Sequence, residues 1–243
     1  MSSGAALSTA AGVAVAAAVS SYWAIAAVAS KPARRVTHGL VVSRVRTGLD
    51  RVALTFDDGP DPRFTPQVMD ALGDVRATFF VLGRQVREFP SVVRAAHEAG
   101  HEIASHGFGH ERLTRLTPRR TLSDLRDGRD AVAEAIGVAP RFYRPPHGLF
   151  NLVAWYASPR LGMRRTLWST SARDWSPGAT PESVAERVLE AAAPGQVVLM
   201  HDAGGHDGRA AVTVAAIPLI LDGLRRRGLQ PVTLSELVDP SET

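Results

Sequence analysis

The run RVALTFDDGP, residues 51–60, decides the fold. Val52 to Phe56 reads as a short apolar strand, and it stops abruptly at Asp57 and Asp58, which Gly59 and Pro60 turn away. Downstream the same unit recurs. Strand patterns fall at Ala77 to Leu82, Glu102 to Ser105, Arg141 to Arg144, Arg165 to Ser169, Gln196 to Met200 and Pro231 to Leu234. Helical patterns fill the intervals near residues 64–73, 86–99, 117–136, 150–158, 181–193 and 212–227, several of them closed by glycines such as Gly100, Gly137 and Gly228. Regular strand–helix alternation predicts an α/β fold with a mostly parallel sheet. A closed or nearly closed barrel competes with an open doubly wound sheet. No G-x-G-x-x-G turn follows the first strand, so the expectation is a distorted (β/α) barrel of about seven parallel strands.

Outward from this domain, assigned to residues 51–238, lie a polar connector at 31–50, a tail at 239–243 and an apolar segment at 1–30. That segment carries no charged side chain, and residues 5–29 are long enough to cross a bilayer, which predicts a signal peptide or membrane anchor. Its apolarity is mostly alanine, and Lys31, Arg34 and Arg35 behind it oppose export by the positive-inside rule. The chain has 243 residues, 45% hydrophobic and 21% charged, an ordinary globular composition. With no cysteine, a metal must be held by His, Asp or Glu. The net charge is +4, but the basic residues, all arginine except Lys31, are scattered among 24 acids, which argues against a nucleic-acid partner.

Chemistry-bearing residues follow the ends of successive strands: Asp57 and Asp58, then His106 and His110, then Arg144 with Pro145, Pro146 and His147, then Arg173, Asp174 and Trp175, then His201 and Asp202. In a parallel barrel all carboxyl ends open on one face, so these residues converge. Adjacent carboxylates disfavour joint ionisation unless a cation is near; a metal with one carboxylate as ligand and the other as free base resolves the conflict. His106 and His110 have ligand spacing, and Gly107 and Gly109 bend the backbone around them. His97 and His101 share the spacing but lie before the strand ends and read as structural or solvated. His201, ending the apolar run Val197 to Met200, is the natural titrating acid, and Arg144 suits a charge partner for a catalytic carboxylate. His206 and Asp207, in a Gly-rich loop, read as exposed.

These residues resemble the five motifs of the polysaccharide deacetylase family, the NodB-homology fold of carbohydrate esterase family 4, across about Val52 to Val238: TFDDGP at 55–60, SHGFGH at 105–110, RPPHG at 144–148, RDW at 173–175 and LMHD at 199–202. The resemblance implies a hydrolase that removes N-acetyl groups from N-acetylglucosamine-containing glycans, chitooligosaccharide or peptidoglycan in type, releasing acetate. It implies one divalent ion, zinc first and cobalt, nickel or manganese as alternatives, on Asp58, His106 and His110. Asp57 becomes the general base oriented by Arg144, and His201 the acid steadied by Asp174. Substrate contacts are implied for Pro146, the His147 backbone N–H, Trp175 and Leu199. Two departures stand out: His147 replaces an aromatic residue, and Ser171 an Asp common in the family. Related readings are a deacylase of O-acetyl glycans or small amides, and a non-catalytic carbohydrate-binding relative, against which the intact Asp57, Asp58, His106, His110 and His201 speak. A helical His-Asp phosphohydrolase is disfavoured because His201 and Asp202 follow a Val-rich strand. A glycan-modifying activity places the domain outside the cytoplasm.

Overall fold

β1 (Arg51–Asp57) is buried along nearly its whole length, as a strand covered on both faces must be. The structure, a computed structural model, describes residues 40–204 and 209–239. Seven further strands, all parallel to their neighbours, join β1: β2 (Thr78–Val81), β3 (Glu102–Ser105), β4 (Phe142–Tyr143), β5 (Arg164–Arg165), β6 (Thr170–Ser171), β7 (Val197–His201) and β8 (Gln230–Val232). Seven of the eight run in the order β5-β4-β3-β2-β1-β7-β6, while β8 pairs with the first residues of β1. The sheet curls into the distorted barrel expected.

Alternation along the strands divides the residues into two faces. Val52, Leu54 and Phe56 of β1 join Phe79, Val81, Ile103, Val198 and Met200 on the outer face. There they pack against α1 (Thr65–Leu72), α3 (Pro90–Glu98), α4 (Pro118–Ile136), α5 (Pro181–Glu190) and α6 (Arg209–Arg226). Each such buried Leu or Phe contributes about 1.5–3 kcal/mol. Ala53, Phe80, Ala104, Phe142 and Val197 face inward and meet Leu234 and Leu237 of the last helix, Leu234–Val238. The same inward alternation carries Thr55 and Asp57 of β1, so the inner face turns from apolar to polar towards the carboxyl end of the strand.

Three local expectations are corrected. The helical pattern over 86–99 is two helices, α2 (Gly83–Glu88) and α3, because Pro90 has no N–H to continue the ladder. The strand expected at Arg165 to Ser169 is instead β5 and β6 on opposite edges of the sheet, with residues 166–169 crossing the seam between them. Along that seam lies part of the supposed connector: Val42 bridges Thr166, Arg44 bridges Gln196, and Val41 is buried. The folded unit therefore begins before Arg51. The apolar segment at 1–30 and residues 240–243 of the tail lie outside the described residues, and among those described no helix is long and apolar enough to cross a membrane.

Candidate active site

Strand register alone sets Asp57 directly beside His201, because β1 and β7 pair in parallel through Asp57 and His201 themselves. Both line a cleft of about 570 Å³ at the carboxyl ends of the strands. Four non-glycine residues among those described have left-handed backbone, Asp58, His110, His147 and Arg173, and all four line this cleft. Strained backbone gathered in one place is a mark of function.

Asp57 is buried, and its carboxylate is fixed from below. Arg144, wholly buried, donates from Nη1 to Asp57 Oδ1 at 2.6 Å and to Thr55 Oγ1 at 2.9 Å, and from Nη2 to the Leu167 carbonyl at 3.1 Å. Its guanidinium lies 3.9 Å from the centre of the Phe80 ring, the inward residue opposite Asp57 on β2. An Arg so held is a fixed countercharge.

Asp58 faces two imidazoles. His106 Nδ1 lies 2.8 Å from the Arg144 carbonyl, which can only accept, so Nδ1 carries the proton and Nε2 presents a lone pair. Nε2 of His106 and of His110 stand 3.4 and 3.1 Å from Asp58 Oδ1, yet that buried oxygen makes no hydrogen bond. Burial pushes the Asp58 pKa up, but the two histidines hold it far below the usual carboxylate range. The His110 pKa is raised by Asp58 against the effect of its own burial. Two nitrogens and an oxygen, all within 4.8 Å of one another, are a donor set that fits a divalent cation. The loop carrying the histidines is pinned by α4: Asp124 Oδ1 accepts from the N–H groups of Phe108 and Gly109, each at 3.1 Å.

Across the cleft His201 is clamped by one carboxylate. Its backbone N–H donates to Asp174 Oδ2 at 2.7 Å, its Nδ1 lies 2.9 Å from Asp174 Oδ1, and Thr213 donates to Oδ2 at 2.8 Å. Burial lowers the His201 pKa, but the Asp174 carboxylate overrides it and carries the value up to about 9. With Nδ1 engaged, Nε2 is the nitrogen left to hold a proton in the cleft. Asp202 turns away from the cleft. It is fully buried, takes a 2.5 Å hydrogen bond from Thr65 Oγ1, and is pushed by burial up to about 7. It stands apart from the Asp58, His106 and His110 cluster, contrary to what a His-Asp phosphohydrolase would need.

Of the residues expected to touch substrate, Leu199, Trp175 and His147 line the cleft. Trp175 is 46% exposed at the mouth, and the His147 ring meets His110 edge-on with centroids 4.7 Å apart. Pro146 does not line it: it is buried behind the wall, and its part is to set the turn that presents His147. His101 is structural, its Nδ1 accepting from the Ala77 N–H at 3.2 Å. His206 and Asp207 lie outside the described residues. Sequence reasoning missed Trp168, whose ring packs where a side chain on Gly148 would otherwise stand; within an apolar run it looked like core. It also passed over Asp124 and Thr213, helix residues whose supporting role is visible only through the loops they hold.

The sequence profile of the polysaccharide deacetylase family matches residues 44–166. A peptidoglycan-N-acetylglucosamine deacetylase of Bacillus cereus is 37% identical over 205 residues, covering 82% of this chain and 93% of its own. A chitooligosaccharide deacetylase of Sinorhizobium fredii is 36% identical over 201 residues, covering 77% and 91%. A crystal structure of a peptidoglycan N-acetylglucosamine deacetylase bound to an N-hydroxybenzamide superposes with a TM-score of 0.78 at 30% identity, covering 84% of this chain and 94% of that one.

Proposed function

The chain belongs to the polysaccharide deacetylase family, and from that membership and the cleft's geometry we propose that it hydrolyses the N-acetyl groups of N-acetylglucosamine-containing glycans, peptidoglycan or chitooligosaccharide in type, to acetate and a free amine. The observation that carries the reading is the pairing of Asp57 and His201 across β1 and β7 above the Asp58, His106 and His110 donor set.

Those three side chains would hold a divalent ion, zinc by preference for two imidazoles and a carboxylate. When bound, such an ion acidifies water and polarises a carbonyl oxygen. Asp57, oriented by an Arg144 that Thr55 in turn anchors, accepts the proton of the attacking water. The His147 backbone N–H, aimed by its left-handed turn, donates to the oxygen of the acetamide carbonyl as it gains charge. His201, its Nδ1 bound to Asp174, gives the proton on Nε2 to the departing nitrogen, so that the C–N bond breaks to an amine. Leu199 and Trp175 wall the space for the acetyl methyl. Acetate release from a panel of peptidoglycan strands, chitooligosaccharides and O-acetyl glycans tests the reading. Release from the N-acetylated members, lost in Asp57→Asn, is expected; zinc-loaded protein inactive on all of them overturns it.

The place of action follows from the substrate. A wall polymer lies outside the cytoplasm, so the apolar segment at residues 5–29 is read as delivering or tethering the domain there. An alkaline phosphatase fused after Thr243 is then active and a green fluorescent protein dark; the reverse pair overturns the placement.

A further inference from the structure

The charged groups of the cleft are committed to one another, with one exception. Asp57 is paired with Arg144, Asp58 faces His106 and His110, and Asp174 is taken by His201 and Thr213. Arg173 lines the same cleft and is exposed, and among the described residues its guanidinium has neither ion pair nor hydrogen bond.

Its backbone is fixed nonetheless. Arg173 has φ of +54°, its N–H donates to Ser171 Oγ at 3.3 Å, and its carbonyl accepts from the Ser176 N–H at 3.0 Å. Glycine or asparagine adopts that conformation more readily, so the turn itself gives no reason for an arginine. What the arginine adds is a long cationic side chain, rooted on a rigid turn beside Asp174 and Trp175, on the wall of the cleft that would take the reacting acetamide. A guanidinium is a planar fork of donors that matches a carboxylate two bonds at a time. Ser171, on the same wall, brings no charge that would occupy it.

We propose that Arg173 binds a carboxylate of the substrate, so that the cleft selects an acetylated glycan bearing acidic substituents beside its acetamido sugar over a neutral chain of N-acetylglucosamine. This rests on the deacetylase reading and narrows it. Peptidoglycan, whose lactyl-linked peptides carry free carboxylates, has the required chemistry; chitooligosaccharide does not.

The test compares peptide-bearing glycan fragments with the same fragments amidated at their carboxylates, measuring both acetate release and, in the Asp57→Asn protein, binding by calorimetry. The acidic fragments are expected to show KM and Kd about tenfold lower than the amidated ones at low salt, a gap that narrows as salt screens it. Arg173→Gln removes the gap, and Arg173→Lys keeps part of it. Ser171→Asp, which sets a competing carboxylate on the same wall, removes it with Arg173 intact. Acetate release with no preference for the acidic fragments, or a preference that survives Arg173→Gln, overturns the proposal while leaving the deacetylase reading in place. A binding preference that depends on Arg173, when zinc-loaded protein with Asp57 intact releases no acetate from any fragment, supports the carboxylate site and overturns the deacetylase reading instead.

Discussion

Gly128→Ala sets two effects of opposite sign against each other. Gly128 lies inside α4, where alanine is worth about 1 kcal/mol more than glycine for an exposed helix, so propensity alone makes the variant more stable. Packing says otherwise. A Cβ on Gly128 would stand 2.5 Å from the carbonyl carbon of Gly107 and 2.6 Å from its oxygen, both backbone atoms, where ordinary contact begins near 3.4 Å. The loop must retreat by about 1 Å, and it is not free to do so: the Gly107 carbonyl accepts from the Gly83 N–H at 2.9 Å, and Phe108 and Gly109 both donate to Asp124 on α4 itself. Overpacking of this kind costs about 1–3 kcal/mol, and each stretched hydrogen bond adds about 0.5–1.5 kcal/mol. The net expectation is a loss of about 1–3 kcal/mol, and at about 2–4 °C per kcal/mol for a domain of this size Tm falls by several degrees. Because Gly107 lies between His106 and His110, the same displacement should weaken zinc binding by about tenfold or more, the usual penalty for disturbing the support of a ligand. Calorimetry of the metal-free variant and a chelator competition read the two effects separately. A raised Tm with unchanged zinc affinity would show that the loop is not seated on α4 as closely as the structure has it, and would refute the reasoning.

Asp58→Ala, His106→Ala and His110→Ala should each abolish metal retention; full occupancy by elemental analysis in any of the three removes that residue from the ligand set. Asp57→Asn keeps the shape of the side chain and should retain the metal while kcat falls about a hundredfold or more, whereas near-normal turnover would reduce Asp57 to a turn residue. In the metal-free protein His201, with a folded pKa of about 9 against 6.5 unfolded, favours the folded state fully below pH 6.5 and loses that contribution as pH rises through 9, about 3 kcal/mol at about 1.4 kcal/mol per unit. Tm should therefore fall between pH 6.5 and 9, and His201→Gln should flatten the fall; an equal slope in both proteins would assign it to other groups.

A parallel barrel compresses sequence-distant strand ends onto one rim, which is why Asp57, His106, Arg144, Asp174 and His201 could be gathered from sequence alone. The strands themselves were legible for the same reason: β1 and β7 are apolar runs that stop at charged or titratable residues. Legibility failed where one residue type serves two purposes. Thr166, Leu167 and Trp168 are as apolar as a strand, but they cross the seam between β5 and β6, and hydrophobic periodicity carries no record of which edge a run pairs with. Val41 and Val42 failed in the opposite sense, a short patch in a polar stretch that becomes buried only because that seam needs covering. In the site, spacing identified the ligating types but not their protonation. For His106 that is fixed by one contact, the Arg144 carbonyl on Nδ1, made by the residue whose side chain also holds Asp57. A single residue thus orients Asp57, the proposed base, through its guanidinium and His106, a proposed ligand, through its backbone. Arg144→Lys, which leaves the carbonyl in place and shortens only the side chain, should therefore impair turnover far more than metal binding.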